Sequence, residues 1–212
     1  MIFIGIDQSL SATGVCVVND VGRVIESKVI KTGKLRGVER LKYIVNEIEH
    51  IIVGIQDDIT VVREGYSYGS RGHTFELGEL GGVIDLSLYC DDSEYKISEY
   101  IVPPTVWKGF ILGNGSTKKD TSYLFNVYKK TGIEFNDDNA ADAYMLVHYF
   151  NAIQDIVSGD VSIDSLTAKQ KECSISSKIR KKHKVTKANI LKLDDNIFID
   201  CIKESFEQYR RF

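Results

Sequence analysis

Three acids in this 212-residue chain stand where secondary-structure elements are expected to end. Asp7 closes the apolar run Ile2, Phe3, Ile4, Ile6. Glu64 closes the β-branched run "ITVVRE" of residues 59–64. Asp142 lies one turn into a helix that begins near "NDDNAADA", with Asp138 at i−4 and Asn139 at i−3 on the same face. Carboxylates that converge repel one another unless cations separate them. An all-oxygen set favours hard cations such as Mg²⁺ or Mn²⁺. Two ions ~4 Å apart suit in-line attack on a phosphodiester, one activating water and the other stabilising the leaving oxygen. Each acid alone has an ordinary role: turn former for Asp7, surface charge for Glu64, helix cap for Asp138, solvent-facing residue for Asp142. The chemical reading depends on convergence. No rival metal set competes, because Cys16, Cys90, Cys173 and Cys201 form no CxxC pair. His50, His73, His148 and His183 have no ligand spacing either.

The elements that must position these acids are read from periodicity. Residues 2–7, 13–19 and 23–31 read as three strands joined by short turns, an antiparallel meander with hairpin chemistry at Asn19, Asp20 and Gly22. Residues 36–54 read as an amphipathic helix, with Leu41, Ile44, Val45, Ile48, Ile51 and Ile52 on one face. A strand at 59–64, a helix over 71–90 and a strand at 95–102 follow, and Pro103-Pro104 breaks the chain before a short helix that Thr105 could cap. Helices over about 117–131 and 136–150 complete the pattern. The order β-β-β-α-β-α-β-α-α is mixed α/β, with later strands parallel. Neighbouring parallel strand ends are where such sheets place ligands. If the first and fourth strands are adjacent, Asp7 and Glu64 meet. The predicted division is a core over 1–158 and an appendage over 159–212, a basic linker followed by a short helix carrying Phe198, Cys201, Ile202, Phe206 and Tyr209.

The whole ordered set resembles the RuvC family of Holliday junction resolvases, in the RNase H-like superfamily. "FIGIDQSLSATGVCVV" is similar to the family's opening GIDPGxxxTG stretch, with Asp7 at the first acid. "ITVVREGYSYG" resembles the strand that ends in the second acid, here Glu64. "FELGELGGVI", "VWKGFILGNGSTKKDTSYLF" and "NAADAYMLVHY" resemble, in order, the LGxxxGV helix, the VKxxxxGxGxxxK segment and the closing DxADALAIAxxH helix. The resemblance covers roughly residues 1–150. It implies an RNase H-like mixed five-stranded sheet flanked by helices, with a basic C-terminal appendage. It further implies a metal-dependent homodimeric endonuclease that nicks two opposed strands of a four-way DNA junction. Water is then the nucleophile, and the products carry 5′-phosphate and 3′-hydroxyl ends. By the same resemblance Asp7, Glu64 and Asp142 are metal ligands for Mg²⁺ or Mn²⁺, in all two ions. The fourth position falls to Asn139, where the family has an acid, or to Asp138 after a small shift of the helix start. Gln8-Ser9 replaces the family's Pro-Gly. The departures suggest a phage or mobile-element version.

DNA contacts are expected from Tyr66 or Tyr68, which can stack on unpaired bases, and from Arg71. Lys108 and Lys119, or Lys118 in its place, are expected at phosphates. Trp107 and His148 read as core. The glycines at 78, 81 and 82 imply a close neighbour on that helix, a dimer partner by the resemblance or the same subunit's sheet. Net charge is −3, yet residues 169–187 hold eight Lys and Arg against Glu172 alone. That run, with Arg180, Lys181 and Lys182 at its centre, reads as a solvated linker, a phosphate-binding arm or both. No apolar run reaches the ~18 residues of a membrane span, and no leader is legible, so a cytoplasmic protein is expected. Two other readings remain: a catalytically silent branched-DNA binder of the same fold, favoured by Asn139, and an actin-like ATPase in which Gly5, Asp7, Ser9 and Thr13 cradle phosphate. Flaps or forks as further substrates share the nuclease mechanism.

Overall fold

The computed structural model describes residues 1–65, 74–89, 94–113 and 122–212. Strands β1 (Ile2–Asp7), β2 (Ala12–Asn19) and β3 (Val24–Lys31) form the expected antiparallel meander. After α1 (Gly37–Ile52), β4 (Ile59–Glu64) pairs parallel with β1. After α2 (Thr74–Tyr89), β5 (Ile97–Val102) pairs parallel with β4. The five-stranded mixed sheet has the order β3-β2-β1-β4-β5. The helices α3 (Pro104–Leu112), α4 (Tyr123–Thr131) and α5 (Asp138–Ser158) follow. Pro104, not Thr105, opens α3, because proline's fixed φ suits the first helical turn and its missing N–H costs nothing there.

Alternation along the strands sends side chains to two separate cores. Ile4, Ile6, Val15, Val17 and Val61 face Ile44, Ile48, Leu80 and Ile84 of α1 and α2. Cys16, Val18, Val62 and Val102 face α3, α4 and α5. The expected helix over 136–150 runs on to Ser158, and twelve of its 21 residues are buried. It lies sandwiched between the sheet and a further helical layer, so apolar residues ring it instead of forming one stripe.

That layer is the C-terminal segment. It contains α6 (Ala168–Ser174), α7 (Ser177–Lys182) and α8 (Asp195–Glu207), with short 3-10 turns at Ile163–Ser165 and Ile190–Lys192. The basic run is folded. Ile175, Ile179, Val185 and Ile190 are buried in the same core as Phe150 and Tyr149 of α5, and Phe206 of α8 packs at a tilt of 48° against Phe150 with ring centroids 5.4 Å apart. Beyond α8 the chain lies along the edge of β5. Ile101 N–H donates to Tyr209 O at 2.7 Å, and Arg211 N–H donates to Glu99 O at 2.8 Å. This covers backbone groups that an edge strand would otherwise expose.

Two glycines decide how closely α5 approaches the sheet. A Cβ at Gly5 of β1 would lie 1.8 Å from the Ala143 carbonyl oxygen, and one at Gly14 of β2 would lie 2.1 Å from that of Asn139. Both obstacles are backbone, which no rotamer change relieves. Gly22, in the turn after β2, has φ +79 and open space around it. Gly5→Ala is therefore expected to destabilise the fold by about 3 kcal/mol, and Gly22→Ala by only about 1 kcal/mol through left-handed strain. Urea unfolding midpoints of the two variants check the difference.

Candidate metal centre

Because β1 and β4 are parallel neighbours, their C-terminal ends open at one edge of the sheet, and Asp7 and Glu64 end them there. Asp142 arrives from above. Asn139 and Ala143, one helical turn apart, rest on Gly14 and Gly5, and Asp7 pairs in register with Gly14. The residue before Ala143 is thereby held over the end of β1. One oxygen from each of Asp7, Glu64 and Asp142 lies within 4.8 Å of the others. Asp142 is only 1% exposed and Asp7 9%. Such burial makes like charges expensive to hold together and a cation correspondingly welcome. The donors are all hard oxygens, a set that fits Mg²⁺ or Mn²⁺.

Two further side chains enter the cluster. Lys108 of α3 places Nζ 3.3 Å from Asp142 Oδ2 and 3.9 Å from Glu64 Oε1. This ammonium thus faces two of the three carboxylates of the cluster. The buried Tyr123, first residue of α4, donates its hydroxyl to Asp142 Oδ1. Burial, and after it the charges of Asp142, Asp7 and Glu64, push the Tyr123 phenol far above its ordinary range. The phenol stays protonated and can only donate to that oxygen. Tyr123 was not anticipated from the sequence.

A second charged group braces the centre from the other face of the sheet. Arg63 is fully buried. Its Nε donates to Glu99 Oε1 of β5 at 2.7 Å, its Nη1 to Gln8 Oε1 at 2.8 Å, and its Nη2 to Asp85 of α2. Arg63 thus ties the residue after Asp7 to the residue before Glu64. Burial pushes the Glu99 carboxyl upward, with Arg63 opposing. An arginine inside a β-branched strand was the available signal, since buried guanidinium needs carboxylate partners.

The other expected residues fall as follows. Asp137 caps α5 by accepting from Asn139 N–H at 2.9 Å, so the cap is Asp137 and not Asp138. Asp138 is the first helical residue and does not join the three acids within the 4.8 Å cluster. The Asn139 backbone carbonyl packs on Gly14. Trp107 is fully buried, and His148 stacks on Tyr144 at 6.0 Å between centroids. Arg180, Lys181 and Lys182 lie on α7, where Lys182 pairs with Glu204 at 2.8 Å. Tyr66, Tyr68, Arg71, His73, Cys90, Lys118 and Lys119 lie outside the described residues.

A mixed sheet of this order, with acids at two parallel strand ends and a third on the helix crossing them, forms a carboxylate cluster able to coordinate divalent cations, the site that the following family match assigns to a nuclease-type enzyme of the RNase H-like class. Residues 3–148 match the family model of crossover junction endodeoxyribonuclease RuvC. Crossover junction endodeoxyribonuclease RuvC of Hydrogenovibrio crunogenus is 32% identical over 146 residues, spanning 66% of this chain and 81% of that one. The structure of Thermus thermophilus RuvC shares the fold at a TM-score of 0.55 and 21% identity, covering 73% of this chain and 96% of that chain. T. thermophilus RuvC in complex with Holliday junction substrate gives the same TM-score of 0.55 at 21% identity, covering 72% and 94%. The chain belongs to the RuvC family.

The centre predicts a cation response. Mg²⁺ or Mn²⁺ at a hundredfold excess over Kd is expected to stabilise the fold by about 2.7 kcal/mol, or about 5–10 °C in Tm for a chain of this size. Asp7→Asn should remove most of that rise. Lys108→Gln should lower Tm in EDTA and enlarge the rise with metal, since it deletes the competing ammonium. Differential scanning calorimetry with and without metal measures all three.

Proposed function

We propose that this protein is a divalent-metal-dependent endonuclease that resolves four-way DNA junctions by paired nicks, acting as a homodimer. The observation that carries the reading is the convergence of Asp7, Glu64 and Asp142 at one sheet edge. Membership of the RuvC family and the junction complex of the T. thermophilus relative support the choice of substrate.

In this reading Asp7, Glu64 and Asp142 hold Mg²⁺ or Mn²⁺, two ions in all, with Asn139 or Asp138 as the fourth ligand. Bound metal supplies an acidified water as nucleophile and charge neutralisation at the leaving oxygen. Tyr123 fixes the rotamer of Asp142 by occupying one carboxylate oxygen and turning the other toward the centre. Lys108, close to Asp142 and Glu64, would offer its ammonium to a non-bridging oxygen of a phosphate bound at the cluster. The products carry 5′-phosphate and 3′-hydroxyl ends. Tyr66 or Tyr68 stacks at the junction, while Arg71, Lys118, Lys119, Arg180, Lys181 and Lys182 contact the backbone.

The dimer reading is supported by α2. Phe75, Leu86 and Tyr89 are 91%, 61% and 72% exposed, and a Cβ at Gly78 or Gly82 would meet nothing within 4 Å. These two glycines therefore serve no packing among the described residues of this chain. They line an apolar stripe on which the backbone of a second copy can approach closely. A two-fold dimer built there would match the pseudo-two-fold symmetry of a junction.

Two experiments test the reading. With a labelled synthetic four-way junction, paired nicks near the crossover are expected in Mg²⁺ or Mn²⁺ and none in EDTA or on linear duplex. Asp7→Asn should cut at under about a thousandth of the rate, the order of loss seen when a main stabilising group is removed from an active site, and still bind the junction. Junction binding without cutting in either metal would favour a silent binder. Gly82→Arg is expected to convert the dimer to a monomer in sedimentation velocity. Losing a mid-helix glycine should also make that monomer more stable by up to about 1 kcal/mol. A wild-type monomer would remove the dimer.

A further inference from the structure

We propose that the C-terminal helices build a pocket for a DNA backbone phosphate beside the metal centre, on the same edge of the sheet. This inference rests on the nuclease reading above. It concerns residues beyond 148, past the segment that matches the family.

Position is the first argument. Glu64 pairs in register with Val102 of the neighbouring strand, and Gly65 N–H donates to Val102 O at 2.8 Å. The next residue, Pro103, forms part of the pocket wall, together with Thr105 at the start of α3. Lys108 lies one turn further along α3 and reaches Asp142 and Glu64. One strand spacing, about 5 Å, therefore separates the strand end that bears Glu64 from the strand end that opens the pocket. A nucleic-acid strand with one phosphate at the carboxylates would present a neighbouring phosphate here.

Chemistry is the second argument. The cavity holds about 470 Å³ and is lined by Lys169, Lys178, Arg180, Glu172 and the Ser177 side of α7. Glu172 is shared by three cations: Lys187 at 3.0 Å, Arg180 at 3.3 Å and Lys169 at 3.5 Å. Burial raises the Glu172 carboxyl, but the Lys187 hydrogen bond and the three positive charges outweigh it and hold the group below its ordinary range. The carboxylate stays ionised and still answers only one of the three charges. Lys178 adds a fourth and has no carboxylate partner among the described residues. The buried Nε of Arg180 lacks a hydrogen-bond partner among them as well. A cluster serving only to hold α6 and α7 together would balance its charges. This one leaves a net positive cavity with a hydroxyl and an α3 N-terminus on its wall, the elements of an anion site.

The test uses the full chain and a labelled four-way junction in EDTA, titrated at several salt concentrations. Lys178→Glu reverses an exposed charge. Ser177→Glu places a carboxylate in the first turn of α7, where the helix dipole favours it. Lys203→Glu, an exposed site on α8 away from the pocket, is the control. Both pocket variants are expected to bind about tenfold more weakly than the control. Each should lower the slope of log K against log salt by about 1, the signature of one lost phosphate contact. Their Mg²⁺-dependent rise in Tm should equal that of wild type. Pocket variants that match Lys203→Glu in affinity and slope, while wild type binds the junction, would overturn the pocket and leave the nuclease reading standing. A folded wild type that binds no junction would overturn both.

Discussion

Everything at the carboxylate cluster depends on a helix lying backbone against backbone on two strands. Ordinary helix-on-sheet packing keeps the two apart by a layer of side chains. Here Gly5 and Gly14 delete that layer under Asn139 and Ala143, and α5 sinks onto β1 and β2. The short side chain of Asp142 then reaches Asp7 and Glu64 without leaving the helix. Such a contact cannot be loosened gradually. Any side chain at either glycine lifts the helix by the width of a methyl group, and the third acid with it. Ala140, Ala141 and Ala143, small residues at the same end of α5, are all buried and permit the approach from the other side.

Once the acids are forced together, their surroundings divide the task of keeping them there. On the α5 face, Tyr123 and Lys108 engage Asp142 and Glu64. On the opposite face, Arg63 grips Gln8, Glu99 and Asp85. The strand ends are thus held by polar contacts on both sides of the sheet, although only one side carries the carboxylate cluster. Three of the buried charges, Arg63, Glu99 and Asp142, have partners of opposite sign, which offsets part of the cost of burying them. The helical layer added after α5 serves the same end mechanically, clamping α5 from above with Phe206 and Ile202.

Much of this was legible in the sequence. Alternating strands, a switch to helical period and acids at run ends placed Asp7, Glu64 and Asp142 at or near element ends, and made the meeting of Asp7 and Glu64 depend on the first and fourth strands being neighbours, as they are. Other features needed three dimensions. Gly5 reads as a flexible residue until the carbonyl of Ala143, far along the chain, is seen above it. Tyr123 looks like any helix-opening tyrosine, and its partner is nineteen residues away. Arg63 signals that it needs partners but cannot name Glu99, thirty-six residues on. In the C-terminal segment the density of lysines hides the sparse Ile179, Val185 and Ile190, whose burial shows that the basic run is folded.

The opposed directions of Arg63 and Glu64 also guard the assembly of the sheet. A slip of one residue in β4 would exchange the two faces of the strand. Glu64 would then join Glu99, which is fully buried, and the half-buried Asp85, with the guanidinium gone to the other side. Three acids would meet there without the cation that Arg63 supplies. The misaligned chain would be penalised at the position that the correct chain gives to the carboxylate cluster. Adjacent residues of opposite charge in one strand therefore act as a proofreading mark, rejecting a mispaired sheet before it can persist.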